Sequence, residues 1–177
     1  MHYLNFDEQE LQSLGGLDTA KEISGQPVLW DMTRKRIIAQ QKGLTAYLNK
    51  VYENEELEII LTGAGTSAFI GEALVGTFLR NTRKCVKAVS TTDMVSHPLD
   101  CLSPEKPTLL ISFARSGNSP ESIASVNLAN EICNKIYHLI ITCNPDGELA
   151  CSEKGNDNYI LLLPPESNDK SLAMTGS

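Results

Sequence analysis

From residue 57 onward the sequence alternates between short apolar runs and amphipathic segments of helix length. Nearly continuous apolar runs are typical of strands that are buried on both faces of a parallel sheet, and neighbouring parallel strands need a crossover, usually a helix. The predicted strands are residues 57–62, 86–90, 108–113, 138–142 and 158–163, and the predicted helices are residues 67–81, 92–97, 120–132 and 148–154. The sequence therefore predicts an α/β fold in which a five-stranded, parallel, doubly wound sheet is flanked by helices.

The 56 residues before the first predicted strand lack this alternation. Residues 1–28 are polar and include three glycines and Pro27, which predicts a short helix over residues 7–14 and then a loose arm. Beyond Pro27 the apolar residues recur at helical spacing as far as Val51, so we expect one or two helices before the sheet. We interpret residues 1–28 as an N-terminal arm and residues 29–177 as a single domain that is truncated at its C-terminus.

Composition excludes several classes of partner. The net charge is -7 and the pI is about 5.0, so we expect neither nucleic acid nor an anionic membrane surface to bind. The apolar runs are too short to span a bilayer, and we expect a cytoplasmic protein. The five cysteines lie far apart without a C-x-x-C pair, which is typical of free thiols in a reducing compartment and predicts no metal site.

Two polar turns follow predicted strands and lead into predicted helices. Turn 1, residues 63–67, reads Gly-Ala-Gly-Thr-Ser, and turn 2, residues 114–119, reads Ala-Arg-Ser-Gly-Asn-Ser. Glycines let the backbone come close to a ligand, and the first N–H groups of a helix attract an anion. Because the carboxyl ends of parallel strands lie at the same edge of a sheet, we expect the two turns to form one anion site there.

Each turn alone allows a plainer interpretation. In turn 1 the glycines permit close packing of strand against helix, and Thr66 or Ser67 caps the helix. A dinucleotide site is a minor alternative, because the spacing G-x-G-x-x-x-x-G differs from the dinucleotide fingerprint. In turn 2, Ser119 is a natural N-cap before a proline. Capping does not explain residues 116–118, whose hydroxyl and amide groups suit phosphate oxygens.

The two turns together resemble the signature of the sugar isomerase (SIS) domain family, a G-T-S turn followed after a second strand by an S-x-S-G-x-T turn. In that family these turns hold the phosphate of a phosphosugar. The strings around them, and most of the chain from about Trp30 onward, resemble the tagatose-6-phosphate ketose/aldose isomerase or galactosamine-6-phosphate deaminase branch. The resemblance implies a hexose phosphate or aminosugar phosphate as ligand, and no metal or other cofactor. The residues that it assigns to phosphosugar binding are Gly65, Thr66, Ser67, Ser116, Gly117, Asn118 and Ser119.

The sequence departs from the signature at Ala114, where the family has its first serine, so one hydroxyl contact is missing. Arg115 occupies the variable position after it. Glu166, just past the last predicted strand, is similar to a glutamate that SIS isomerases use in proton transfer, and the resemblance implies that it is the catalytic base. A solvated loop acid is the alternative for Glu166. We interpret the other acid–base candidates, His97 and His138, as structural.

Two classes of function are compatible with the sequence. Members of this branch carry two SIS domains in one chain, and their active sites include residues from the second domain and a neighbouring subunit. The first class is an isomerase or deaminase, or half of one. The second is a non-catalytic module that senses a phosphosugar, although residues 1–56 contain no recognisable helix-turn-helix for a DNA-binding version. In either class we expect a homo-oligomer or a second SIS domain to cover apolar surface on the helices before the sheet.

Overall fold

The computed structural model describes residues 1–152, 155, 157–171 and 173–176. In chain order its elements are β1 (His2–Tyr3), β2 (Phe6–Asp7), α1 (Glu8–Ser13), α2 (Leu17–Tyr52), β3 (Glu58–Gly63), α3 (Thr66–Thr82), β4 (Cys85–Ser90), α4 (Thr91–Ser96), α5 (Pro98–Cys101), β5 (Thr108–Ala114), α6 (Pro120–Ile132), β6 (Ile136–Thr142), α7 (Glu148–Ser152), β7 (Asn158–Leu162) and a 3₁₀ turn (Pro165–Ser167). The five longer strands form a parallel sheet in the order β4-β3-β5-β6-β7. The predicted fold class is therefore confirmed.

The predicted element bounds differ from the structure in small ways. β6 begins at Ile136, two residues earlier than predicted, and α6 has the predicted bounds. The hairpin of β1 and β2 and the short α5 were not expected from the sequence. The last two residues of the helix predicted over residues 148–154 lie outside the described residues.

The N-terminal region differs most from the prediction. A short helix and a loose arm were expected over residues 1–28, but residues 17–28 belong to α2, a continuous helix of 36 residues that includes Gly25 and Pro27. Even so, no helix in the described part of the chain is both long and apolar enough to cross a membrane. The short helix expected over residues 7–14 is α1, and the helix expected beyond Pro27 is the remainder of α2. The division of the chain at residue 28 stays a prediction.

Both faces of the sheet are covered, as a doubly wound fold requires. Alternate residues of β3 enter different cores: Ile59 and Leu61 pack with α2 and α3, whereas Ile60 packs on the side of α4 and α6. The same alternation in β5 places Leu109 and Leu110 on opposite faces. This alternation explains why the strands read as continuous apolar runs.

The strand order reverses between β3 and β5. The chain runs from β3 to β4 on one side and then returns to place β5 on the other side of β3, with Gly63 opposite both Ser90 and Phe113. In open α/β sheets such a switch point leaves a crevice at the carboxyl ends of the two strands. Turns 1 and 2 follow the two strands that flank it.

Candidate functional site

Turn 1 has a backbone that only glycine permits at its first residue. A Cβ atom at Gly63 would lie 2.6 Å from the carbonyl carbon of Ser67, so any other residue would displace the start of α3. Gly65 has a φ of 55° and stands at the N-cap position, where no side chain makes a capping hydrogen bond. The interpretation of Thr66 or Ser67 as a cap is therefore wrong. Thr66 is exposed and Ser67 is buried, and neither hydroxyl is used to cap α3.

Turn 2 repeats this pattern at the start of α6. Gly117 is buried with a φ of 67°, a left-handed conformation that favours glycine. Ser119 occupies the N-cap position and Pro120 the first turn, as predicted, but the Ser119 hydroxyl makes no capping bond. The hydroxyls of Ser119 in turn 2 and Thr66 in turn 1 are thus available to a ligand at two helix N-termini.

The loop between β6 and α7 holds turn 2 in shape. Asn144 donates from Nδ2 to the Ser116 carbonyl over 2.9 Å, and the backbone N–H of Glu148 donates to Asn118 Oδ1 over 2.8 Å. A Cβ atom at Gly147 would overlap the Ser116 carbonyl oxygen. Asn118 therefore commits its side-chain oxygen to α7, and its amide nitrogen remains the group that can reach a ligand.

Sequence reasoning missed this supporting loop. The signal was present, because an Asn-Pro-Asp-Gly run begins at Asn144, two positions after the end of a predicted strand, and such runs indicate a turn. The loop follows β6, the next strand beyond β5, at the same edge of the sheet. A third turn beside turns 1 and 2 was thus predictable, although its bonds to Ser116 were not.

The two turns meet at a small cavity of about 30 Å³. Ser67 of turn 1 and both Ala114 and Arg115 of turn 2 line it, together with apolar side chains that include Phe113. The structure thus places turn 1 against the start of turn 2. Of the predicted binding residues Ser67 lines this cavity, and residues 116–119 do not. Ala114 contributes no hydroxyl to this junction, and Arg115 is a cation beside it.

Glu166 lies elsewhere along the same edge of the sheet. It is exposed on the 3₁₀ turn that follows β7, and it lines a cavity of about 350 Å³ against the first half of α2. Lys21, Glu22 and Asp169 share the lining of that cavity, and no residue of turn 1 or turn 2 does. Within the described chain, the predicted base and the predicted phosphate turns therefore line different cavities.

The two histidines occupy contrasting positions. His138 is only 1% exposed in β6, its Nε2 lies 2.9 Å from Asn130 Oδ1, and burial lowers its pKa from 6.5 to about 4. His97 is exposed after the last residue of α4. A buried neutral imidazole in the core agrees with a structural interpretation of His138.

Comparisons with known proteins decide the family. Residues 52–177 match the SIS domain family. The chain belongs to the SIS domain family. The D-galactosamine-6-phosphate deaminase AgaS of Escherichia coli is 47% identical to this SIS domain over 163 residues, which are 92% of this chain and 42% of that protein. The predicted resemblance, including its branch, is thereby confirmed.

Solved structures agree with this assignment. A protein from Clostridium novyi NT superposes with a TM-score of 0.94 at 45% identity, over 99% of this chain and 45% of the other. The tagatose-6-phosphate ketose/aldose isomerase from Escherichia coli superposes with a TM-score of 0.88 at 45% identity, over 93% of this chain and 45% of the other. This SIS domain thus spans less than half the length of these relatives.

Proposed function

We propose that this SIS domain binds a hexose phosphate or aminosugar phosphate as part of a ketose/aldose isomerase or an aminosugar-phosphate deaminase. The observation that carries the proposal is that turn 1 and the start of turn 2 line one cavity, while the Thr66 and Ser119 hydroxyls cap neither helix. Because the chain has a net charge of -7, attraction for a phosphate must come from local groups. The N-termini of α3 and α6 supply backbone N–H groups and helix dipoles at this place.

The proposed phosphate contacts are the seven residues that the family signature assigns. The phosphate oxygens accept hydrogen bonds from the hydroxyls and from the backbone N–H groups of both turns, which the glycines leave accessible. These contacts come from Gly65, Thr66, Ser67, Ser116, Gly117, Asn118 and Ser119. The sugar then extends from the crevice over the carboxyl edge of the sheet.

Glu166 is the proposed catalytic base. Its carboxylate removes a proton from the carbon next to the sugar carbonyl to give an enediol and returns it to the former carbonyl carbon, while the hydroxyl proton moves from one oxygen to the other. In a deaminase the amino nitrogen takes the place of one oxygen, and water hydrolyses the resulting imine to release ammonia. The cavity that Glu166 lines is separate from the turns, so we propose that groups from a second SIS domain or a neighbouring subunit complete the active site. The relatives at 44–47% identity are named as deaminases, which favours an enzyme over a sensing module.

A partner surface is proposed on α2. Trp30 and Ile38 are 64% and 54% exposed, and they line an open cavity of about 520 Å³ with Ile37 and Leu163. Exposed apolar patches of this kind mark protein–protein contacts. We propose that a second copy of the chain or a second SIS domain covers this surface.

We also propose a cytoplasmic location, which is supported by five cysteines that are all free.

A turnover assay tests the proposed function. The purified chain is incubated with galactosamine 6-phosphate and, separately, with tagatose 6-phosphate, and release of ammonia and formation of aldose are measured. We expect turnover to fall by roughly 10²- to 10⁴-fold in Glu166→Gln and to persist in Glu131→Gln, an exposed glutamate at the far end of α6. Binding without turnover, lost in Ser116→Ala, would support the phosphosugar site and indicate that the chain alone lacks the groups that complete catalysis. Failure to bind any hexose phosphate contradicts the proposed function.

A further inference from the structure

Arg115 belongs to turn 2, but its guanidinium contacts the C-terminal segment, defined here as residues 164–171 and 173–176. Nη1 donates to the backbone carbonyl of Asp169 over 2.9 Å and to that of Ser171 over 3.3 Å. Two carbonyls of one short segment therefore depend on a single side chain from the candidate phosphate site. The same segment carries Glu166.

A second set of contacts holds the C-terminal segment to α2. The Glu22 carboxylate accepts hydrogen bonds from the backbone N–H groups of Lys170 and Ser171, over 2.6 and 3.2 Å, and from the Ser171 hydroxyl. Partial burial opposes ionisation of Glu22, but these hydrogen bonds prevail and lower its pKa. Gln26, one turn further along α2, donates to the Thr175 carbonyl. The segment thus has one set of contacts to a helix and another to turn 2.

Arg115 also lies at the junction of the two turns. It lines the small cavity that Ser67 lines, and its own carbonyl accepts a hydrogen bond from Thr142 Oγ1 over 3.1 Å. A guanidinium presents five N–H donors in a rigid plane, so a change in the backbone of turn 2 changes where those donors point. Turn 1, turn 2 and the C-terminal segment therefore meet at this one side chain.

We propose that Arg115 is a positioning residue that couples phosphate binding at turn 2 to the order of the segment carrying Glu166. The inference rests on the proposed function. A phosphate held by Ser116 and Ser119 restricts the backbone of turn 2, and Arg115 transmits the restriction because it holds two carbonyls of the segment. When Arg115 is replaced, the contacts of Glu22, Gln26 and Cys143 with the segment remain, but none of them joins it to turn 2. The ligand then binds without fixing the position of Glu166.

Hydrogen exchange measured by mass spectrometry tests this coupling. The chain and its Arg115→Gln, Arg115→Lys and Arg80→Gln variants are compared with and without galactosamine 6-phosphate. Arg80 is the matched control, because it is an exposed arginine whose side chain contacts Thr77 within α3. In the native chain the ligand should slow exchange in both turns and in the C-terminal segment.

The variants separate positioning from direct binding. In Arg115→Gln we expect ligand affinity within about threefold of native and protection of both turns, but no ligand-induced protection of the C-terminal segment. Arg115→Lys should restore part of that protection, and Arg80→Gln should behave as the native chain. Without ligand, the segment should exchange several-fold faster in Arg115→Gln than in Arg80→Gln.

Two results would overturn the inference. One is ligand-induced protection of the segment that is equal in Arg115→Gln and the native chain. The other is a loss of affinity in Arg115→Gln as large as that in Ser116→Ala, which would make Arg115 a direct ligand contact. If the native chain binds no hexose phosphate, the proposed function fails and the coupling with it. The exchange rates without ligand then still decide whether Arg115 holds the segment.

Discussion

Individual atoms set the shape of the two turns. At Gly63 the nearest obstacle to a Cβ atom is the backbone of Ser67, which cannot move without shifting α3. At Gly147 the obstacle is the carbonyl of Ser116, a residue of turn 2 itself. The glycines that indicate a phosphate site in the sequence are therefore also required for the packing of the fold.

Replacing Gly63 with alanine should destabilise the protein by about 1 to 3 kcal/mol, because the added Cβ overlaps backbone atoms. Gly76→Ala is the matched control within α3, since its Cβ would meet only the flexible end of Arg80 at 3.4 Å. That substitution should be neutral or stabilising. Urea unfolding measures both, and equal effects of the two substitutions would contradict the turn geometry.

His138 should make stability depend on pH. Burial lowers its pKa from 6.5 to about 4 in the folded state, so the unfolded chain binds the proton more readily between these values. The free energy of unfolding should therefore fall as the pH falls from 6.5 to about 4, by on the order of 3 kcal/mol from this group, and then level off.

Urea unfolding at several pH values measures that slope. His138→Gln should flatten it, because glutamine does not titrate. His97→Gln, at an exposed position, should leave it unchanged. An unaltered slope in His138→Gln would show that burial does not hold this imidazole neutral.

Much of the candidate site was predictable from individual residues in the sequence, because these residues are consecutive in two turns. The contacts of Arg115 and Glu22 were not, since they join residues 54 and 149 positions apart, and no local pattern reports which distant carbonyl or N–H a side chain will meet. For the same reason the sequence placed Glu166 at the correct edge of the sheet but could not show which cavity it lines.

Among the elements, α2 is the one for which the helix-breaking preferences of glycine and proline gave a wrong prediction. Gly25 and Pro27 are strong helix breakers in sequence, and the prediction of a loose arm rested on them. In the structure Leu29 is buried, and Glu22 and Gln26 bind the C-terminal segment. Tertiary contacts on both sides of the breakers therefore keep the helix continuous. The strands were predicted well because burial on both faces leaves a pattern that does not depend on distant partners.

Removing both breakers should strengthen α2. Gly25→Ala lowers the flexibility of the unfolded chain, and Pro27→Ala restores a backbone donor and removes a residue with a large helix penalty, with an expected combined gain of about 1 to 3 kcal/mol. No atom lies within 4 Å of a Cβ at Gly25. Gly15→Ala is the opposite control, because Gly15 has a φ of 70° and alanine should be destabilising there. Unchanged stability and helical circular dichroism in the double variant would indicate that residues 17–28 are not helical in solution.

For the whole molecule, the exposed apolar residues of α2 predict association. Trp30→Glu with Ile38→Glu should reduce self-association measured by light scattering at high protein concentration. Leu99→Glu is the control, because Leu99 is 76% exposed on α5 and does not line the α2 cavity. A native chain that stays strictly monomeric would contradict a homo-oligomer and leave a second SIS domain as the proposed partner.

If turns 1 and 2 bind the phosphate of a sugar, the affinity of the chain must depend on that phosphate. Isothermal titration of the chain with galactosamine 6-phosphate and with galactosamine measures this dependence. We predict binding of the phosphorylated sugar only, weakened at least about tenfold in Ser67→Ala and in Ser116→Ala and unchanged in Ser96→Ala, an exposed serine that bonds within α4. Equal affinity for the two sugars, or binding that survives both turn substitutions, would contradict the claim.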